Sequence, residues 1–415
     1  MPYSRGIKKM KSNLMRILQL MNKVPWPPND GGAIACLNMT KGFFMLGHEV
    51  TVLSMNTSKH HINLKDMPST IRNQADFHLV EVHASISWLE AAMNLLFSDL
   101  PYNAQRFISD EFSDQLAQLL TVREFDVIQL EGLYLCPYIP VIRKYSKALI
   151  SYRAHNIEYE IWDRTAKLSK GWRSKYLQNL SKRIKRFEVS YLNDYDLLVP
   201  ITDRDGIILD SLGNVKPRHT SQTGIDFASL VPTAKKLEFP SLFHIGALDW
   251  SPNQEGLIWF FDQCWPRIHT ENPDLKFYLA GRNAPEWLER RFKLDGVVYM
   301  GEIPDAYDFI NSKAIMVVPL FSGSGMRIKI IEGMALGKPI VTTDIGTEGI
   351  PTEDGQNIMI ANDADQFVAS ITRLINNRAL FNEIGRHAIG FIQEKFDNLS
   401  QAGALIDFYK KQISK

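Results

Sequence analysis

Residues Val317–Ile350, VVPLFSGSGMRIKIIEGMALGKPIVTTDIGTEGI, set a β-branched strand, a Gly-Ser-Gly loop, an amphipathic helix and a second strand one after another. That order suits a phosphate cradle. Gly323 and Gly325 permit a tight turn that brings backbone amides up to a ligand, and a helix beginning near Met326 aims its positive end at the same place. Arg327, Lys329 and Glu332 fall in the first turns of this helix, with 329 and 332 on one face and 327 turned partly away. Two cations beside a loop of donors suit a diphosphate, and a carboxylate one turn deeper, which can only accept, suits a pair of sugar hydroxyls. The stretch reads as a nucleotide-sugar grip; on these residues alone an ordinary βαβ unit with solvated charges stays open.

Composition sets the frame around it. At 415 residues, 45% hydrophobic and 22% charged, the chain is long enough for two or three domains with substantial cores. A formal net charge of +1 gives no overall bias toward nucleic acid, so any basic surface is local. Cys36, Cys136 and Cys264 are few and far apart, which argues against a disulfide framework or a zinc site and fits a reducing cytoplasm. The basic, then briefly apolar start MPYSRGIKKMKSNLMRILQL lacks a small-residue cleavage site and reads as a ragged end before the first strand. No run of about eighteen apolar residues is present to span a membrane.

Near the amino end, Met15–Met21, Ala33–Leu46 and Glu49–Ser54 read as strand, helix and strand, a βαβ unit. Asn22–Gly32, NKVPWPPNDGG, lies at the carboxyl end of the first strand, where open α/β sheets bind ligands. Gly31 and Gly32 there are candidates to line a cleft; a plain helix entry capped by Asp30 is the other reading. The pattern is not G-x-G-x-x-G, so a nicotinamide cofactor gains no support. Further strands are expected at Phe77–His83, Asp126–Leu130, Ala148–Tyr152 and Leu197–Pro200, with a helix over Asn103–Leu120. Such alternation predicts a mostly parallel, doubly wound sheet. His155 follows the strand at Ala148–Tyr152 and is a cleft candidate, with a structural histidine as the alternative. Arg164–Phe187 carries nine Lys or Arg and no acid, interleaved with Trp172, Tyr176, Leu177, Leu180, Ile184 and Phe187. A basic amphipathic helix of this kind fits either peripheral contact with an anionic membrane or simple packing on the core.

Gly213–Pro240 loses the alternation and reads as an interdomain crossing. A second set of strands is expected at Ser241–Ile245, Leu275–Ala280, Val297–Met300 and Ile315–Pro319, each leaving through a loop with Gly or Pro. The helix Asn253–Ile268 follows the loop GALDWSP, and Gln366–Asn376, Ala379–Glu394 and Leu399–Gln412 read as closing helices. The Asp-x-Asp triplets at 194/196, 203/205 and 363/365 look like turns and helix starts, so no metal site is read from them.

Together SGSGMRIKIIEGMALGKPIVTTDIGTEGI, HIGALDWSPNQEGLIWF and RAHNIE resemble the GT-B glycosyltransferases, specifically glycosyltransferase family 4 of the group 1 glycosyl transferases. The likeness covers nearly the whole chain. It implies an α/β GT-B fold in which two Rossmann-like, doubly wound parallel-sheet domains face a cleft. The domains would be an acceptor-side one over 1–217 and a donor domain over 218–395, with a helix over 396–415 returning to the first. In the family the helix glutamate, here Glu332, binds the ribose hydroxyls. Lys329 and Arg327 would hold the diphosphate together with Ser322, Gly323, Ser324 and Gly325. Ile303 matches the position whose backbone meets the base. Gly31 and Gly32 would lie near the donor phosphates and His155 near the transferred sugar, while Trp250 and Asn253 belong to a loop that faces the cleft. One departure stands out: counting back from Glu332, Ser324 occupies the place of the glutamate that usually touches the donor sugar, so sugar recognition is expected to differ.

The resemblance further implies retention of anomeric configuration, a UDP- or GDP-type nucleotide-sugar donor, a glycan or lipid-linked acceptor, and no cofactor or metal. It also implies a role in cell-surface polysaccharide synthesis, at a cytoplasmic or peripheral inner-membrane location. The alternatives are a catalytically silent nucleotide-sugar-binding scaffold, for which Ser324 would speak, and another GT-B activity such as a sugar-nucleotide epimerase or a phosphorylase.

Overall fold

The computed structural model describes residues 14–415 other than 29, 86, 228–229, 233–236 and 324. The reading of residues 1–13 as a ragged end and the expectation placed on Ser324 lie outside the described residues. One sheet contains β1 (Arg16–Met21), β2 (Glu49–Thr57), β3 (Asp76–Val82), β4 (Val127–Glu131), β5 (Leu149–Ala154) and β6 (Leu197–Pro200), in the order β3-β2-β1-β4-β5-β6. All its pairings are parallel. The other sheet contains β7 (Leu242–Ile245), β8 (Phe277–Ala280), β9 (Val297–Gly301), β10 (Ile315–Val318), β11 (Ile340–Thr342) and β12 (Met359–Ile360), in the order β12-β11-β10-β7-β8-β9 and again parallel. Read from β9, the second sheet repeats the order of the first. In each, strand order reverses beside the first strand, at β1/β4 and at β7/β10, and the carboxyl ends of such a pair are where open α/β sheets hold ligands.

The inner strands explain why the sheets are covered on both faces. Every residue of β4 and of β10 is buried, as a strand with helices on either side requires. The chain separates into two compact units: one runs to Gly224 and takes back Asn398–Lys415, the other is Ile225–Asp397. Residues beyond β6 stay with the first sheet, because Leu198 bridges Arg218 in parallel and Ser221 N donates to Pro200 O at 3.0 Å. The C-terminal helix Asn398–Ile413 packs closely on the first helix, Gly31–Met45; a Cβ on Gly42 would come within 2.6 Å of the Ala402 methyl. Leu405, Ile406 and Tyr409 of that C-terminal helix share a core with Ile17, Phe43 and Val50.

Several elements differ from the sequence expectations. The stretch Asn103–Leu120 is two helices, Tyr102–Gln105 and Asp110–Val122, because Ser109 caps the second by accepting from Phe112 N at 3.2 Å. Asn253–Ile268 likewise divides into Ser251–Gln263 and Trp265–Glu271, with Pro266 in the first turn of the second, where a missing N–H does no harm. Arg164–Phe187 spans the end of Glu158–Leu168 and most of Gly171–Ser190, broken where Gly171 takes a φ of +64°. The helix expected from Met326 starts at Ile328, with Arg327 as its cap. β12 carries too few residues to show as a strand in the sequence.

Candidate active site

In the first unit the loop leaving β1 is closed by an ion pair. Lys23 Nζ lies 2.6 Å from Asp30, whose carboxylate also caps the first helix by accepting from Ala33 N at 3.0 Å. Burial pushes the Asp30 carboxyl up, but Lys23 and the cap bond outweigh it and hold it below the usual range. Gly31 and Gly32 are thus the opening residues of a capped helix. A Cβ on Gly32 would meet nothing nearer than Asp30 Oδ1 at 3.4 Å, so the backbone here does not itself demand glycine.

The strands bring together a polar cluster that the sequence expectations lacked. Side chains two apart on a strand share a face, so Gln129 and Glu131 point the same way, as do Ser151 and Arg153. The parallel register sets Gln19 beside Gln129, Gln129 beside Ser151 and Glu131 beside Arg153. His155 follows immediately after β5, and its Nε2 lies 2.6 Å from Glu131 Oε2. The same oxygen takes Arg153 Nη1 at 3.2 Å and the Cys36 thiol at 3.6 Å, while Oε1 accepts from Gln19 Nε2 at 3.0 Å and from Gln129 Nε2. Burial alone would raise the Glu131 carboxyl; the Arg153 charge and the His155 bond reverse this and hold it at about 2. An ionised carboxylate only accepts, so the proton of this hydrogen bond sits on His155 Nε2. Among the described residues His155 Nδ1 has no partner. Burial pushes the Cys36 thiol well up, and Glu131 adds to it.

Cys36, Glu131 and His155 are also the trio whose donor atoms come within 4.8 Å of one another in the manner of a metal site. The chemistry of the set speaks against that use: the thiol is held neutral, and the carboxylate already accepts from five donors, one of them a buried guanidinium. The Asp-x-Asp triplets lie at a turn and at helix starts: Asp196 accepts from Ile150 N, Asp205 is in the first turn of Asp203–Ser211, and Asp363 caps Ala364–Asn376.

In the second unit β7, the helix Ser251–Gln263 that follows it and the helix after β10 meet at Lys329. Asn253 donates Nδ2–H to Ala247 O at 2.8 Å, which turns its Oδ1 toward Lys329 Nζ, also at 2.8 Å. His244, fully buried in β7, donates from Nδ1 to Val317 O at 2.8 Å, and its remaining nitrogen, Nε2, accepts from Lys329 Nζ at 3.4 Å. Burial, with Lys329 adding to it, pushes the His244 imidazole well below its usual value. The ammonium is therefore held by two neutral acceptors, and no carboxylate among the described residues pairs with it. Burial, with Arg327 as second cause, lowers Lys329 to about 7. Gly246 keeps the space open, since a Cβ there would stand 2.9 Å from Asn253 Nδ2 and 3.2 Å from Lys329 Nζ.

Arg327 is 5% exposed, donates to Gly325 O and lies over the Trp250 ring at 5.6 Å. Gly323 has a φ of +105°, and a Cβ there would press on both Arg327 and Trp250 at 3.0 Å. Gly325 has a φ of +78°, so both glycines of the loop are required by the backbone. Ser322 Oγ donates to Glu255 Oε2 at 2.9 Å. One turn into the helix, Glu332 accepts from Tyr307 OH at 2.9 Å; burial raises its carboxyl to about 7 even though Tyr307 favours the ionised form. Ile303 lies just past β9, part-exposed, and the nearby Tyr307 is what reaches Glu332. The expected residues Arg327, Lys329, Trp250, Asn253, Ser322, Gly323 and Gly325 thus form one cluster. His244, Tyr307 and Glu255 are the partners that sequence reasoning missed.

Residues 239–377 match the family model described as "Glycosyl transferases group 1". A Klebsiella pneumoniae protein described as an uncharacterized 44.6 kDa protein in the cps region is 22% identical over 414 residues, covering 93% of this chain and 97% of that protein. Sucrose-phosphate synthase of Thermosynechococcus elongatus superposes with a TM-score of 0.70 at 14% identity, over 96% of this chain and 99% of its own. HepE of Anabaena, in complex with UDP-glucose, superposes with a TM-score of 0.67 at 14% identity, over 96% of this chain and 100% of its own. The chain has the GT-B fold of these structures, and the stretch that matches the family model lies within its second unit.

Proposed function

We propose that the protein is a retaining glycosyltransferase of family 4 that moves a sugar from a nucleoside-diphosphate donor to an acceptor hydroxyl. The observation that carries this reading is the buried Lys329 ammonium, gripped by two neutral acceptors and lacking a carboxylate partner among the described residues. Such a cation is stabilised by an arriving anion. In this reading Lys329 and Arg327 take the diphosphate with the amides of the Gly323–Gly325 loop, Glu332 the ribose diol, and the backbone at Ile303 the base. In the same reading Gly31 and Gly32 serve the donor phosphates and His155 the transferred sugar.

The donor C1–O bond breaks toward an oxocarbenium-like state while the cations stabilise the departing diphosphate. The acceptor oxygen bonds to C1 on the same face, and its proton passes to the leaving phosphate oxygen. Retention by this route needs no carboxylate pair of the kind a retaining glycosidase uses. UDP-glucose in HepE and the cps-region setting of the Klebsiella relative favour a UDP-sugar and a glycan or lipid-linked acceptor in surface-polysaccharide synthesis. No described helix is long and apolar enough to cross a membrane. The exposed Trp172 on a helix that also exposes Arg173, Lys175, Lys182 and Lys185 supports peripheral contact with an anionic bilayer at the cytoplasmic face.

The test begins with a thermal-shift screen of UDP- and GDP-sugars, in which a ligand at a hundred times its Kd adds about 2.7 kcal/mol of stability. Release of nucleoside diphosphate from the donor found is then followed in wild type and Lys329→Ala. Loss of one such electrostatic contact costs about 3 kcal/mol, or about two orders of magnitude in turnover. Unchanged turnover in Lys329→Ala removes the residue from the mechanism, and tight donor binding without turnover by any acceptor makes the protein a silent binder.

A further inference from the structure

The buried cluster around Glu131 continues away from His155 into the C-terminal helix. Tyr409, fully buried on Asn398–Ile413, donates its OH to Gln129 Oε1 at 2.7 Å and lies 2.8 Å from Ser151 Oγ. A phenol has one proton, so with that proton given to Gln129 the serine hydroxyl is the donor to Tyr409. Accepting through Oε1 fixes the Gln129 amide, and its Nε2–H is thereby turned to Glu131 Oε1. Glu131 uses its other oxygen to hold His155 Nε2–H. Gln19 supports the same carboxylate and is itself fixed by Thr40 Oγ1, which donates to Gln19 Oε1 at 2.7 Å. Polarity is consistent from Ser151 through Tyr409, Gln129 and Glu131 to His155: each has one orientation that satisfies its neighbours.

We infer that Tyr409 is a positioning residue for His155, its hydroxyl acting through Gln129 and Glu131 to favour the imidazole tautomer with the proton on Nε2. The consequence for the reaction rests on the functional reading above: with Nε2 bound to Glu131, Nδ1 is the nitrogen presented to a sugar or acceptor hydroxyl. The tautomer itself does not depend on that reading. Hydrogen bonds in such a buried chain support one another, so removal of a remote hydroxyl is felt at the far end.

The experiment is nitrogen-15 NMR of the histidine side chains in the full chain, with the His155 signals assigned by their loss in His155→Gln. Wild type should show the Nε2–H form. Tyr409→Phe deletes only the hydroxyl, and loss of one net hydrogen bond shifts the tautomer ratio toward Nδ1–H by about fivefold. Leu405→Val trims the same helix without touching the chain of bonds and should leave the ratio at its wild-type value. Glu131→Gln should shift it further; because that change leaves Arg153 facing a neutral amide, Tyr409→Phe remains the deciding variant if it fails to fold. An unchanged His155 spectrum in Tyr409→Phe overturns the inference, as does an equal shift in Leu405→Val. Absence of donor turnover in wild type, with the tautomer shift intact, would instead count against the transferase reading alone.

Discussion

A nucleotide sugar should bind this protein with a proton balance that changes sign near neutrality. In the second unit burial, with Arg327 alongside, lowers Lys329 to about 7, while burial raises Glu332 to about 7 against the pull of Tyr307. Each group is therefore about half charged at pH 7. A diphosphate next to Lys329 favours the ammonium, so that contact takes up a proton; ribose hydroxyls donating to Glu332 favour the carboxylate, so that contact releases one. At pH 8 Lys329 is about nine-tenths neutral and Glu332 about nine-tenths ionised, which makes net uptake about 0.8 proton per site. At pH 6 the two exchange places, and about 0.8 proton is released. Affinity accordingly rises with pH below 7, falls above it, and changes by about sixfold per pH unit around pH 6 and pH 8. Titration calorimetry at three pH values, each in two buffers of different ionisation enthalpy, reads the balance directly. The ligand should be a nucleotide sugar, because the terminal phosphate of a free nucleoside diphosphate titrates in the same range. Glu332→Gln should leave uptake alone, with affinity falling steadily as pH rises. Proton exchange of one sign at both pH 6 and pH 8, or none at either, would refute the assignment of these two side chains to diphosphate and ribose.

Two further outcomes test other parts of the site. Glu131, held at about 2 in the folded protein against 4.5 for the free side chain, contributes about 3 kcal/mol of stability that is present above pH 4.5 and lost as pH falls toward 2. Urea titrations across that range should show a shallower acid decline for Glu131→Gln than for wild type, and parallel declines would remove the carboxylate from the account. Gly323→Ala forces a side chain onto a φ of +105° and against Arg327 and Trp250, so it should lower stability by about 1–2 kcal/mol and weaken donor binding; thermal melts and donor titrations equal to wild type would show the loop to be free of that constraint.

What the sequence discloses and what it hides divide along contiguity. The Gly323–Gly325 loop, Arg327, Lys329 and Glu332 are neighbours in the chain, so their loop and helix geometry follows from local rules. Glu131, Arg153 and Gln19 come from three strands and meet only through the parallel register. Their signal was present as polar residues at alternate positions of otherwise apolar strands, Gln129 with Glu131 and Ser151 with Arg153, but naming the contacts requires knowing which strands are adjacent. His244 is hidden in the same way, as a polar residue within LFHI whose partners arrive from β10 and from the helix that follows it. Helix breaks were lost for a different reason. Ser109, Gly171 and Pro266 are each tolerated somewhere in or beside a helix, and which of their effects prevails is decided by packing beyond the local window.

The division of the chain, with Ile225–Asp397 inserted ahead of the segment that completes the first unit, bears on the order in which the protein matures. A domain usually folds as its own stretch of chain emerges from the ribosome, amino end first. Here the inserted unit is contiguous, whereas the earlier-made sheet waits for Leu405, Ile406 and Tyr409 to cover Ile17, Phe43 and Val50. Until then it presents an apolar face to chaperones. A released chain ending at Asp397 should therefore be protease-resistant over 225–397 and cut within 14–224, the reverse of the usual vectorial sequence.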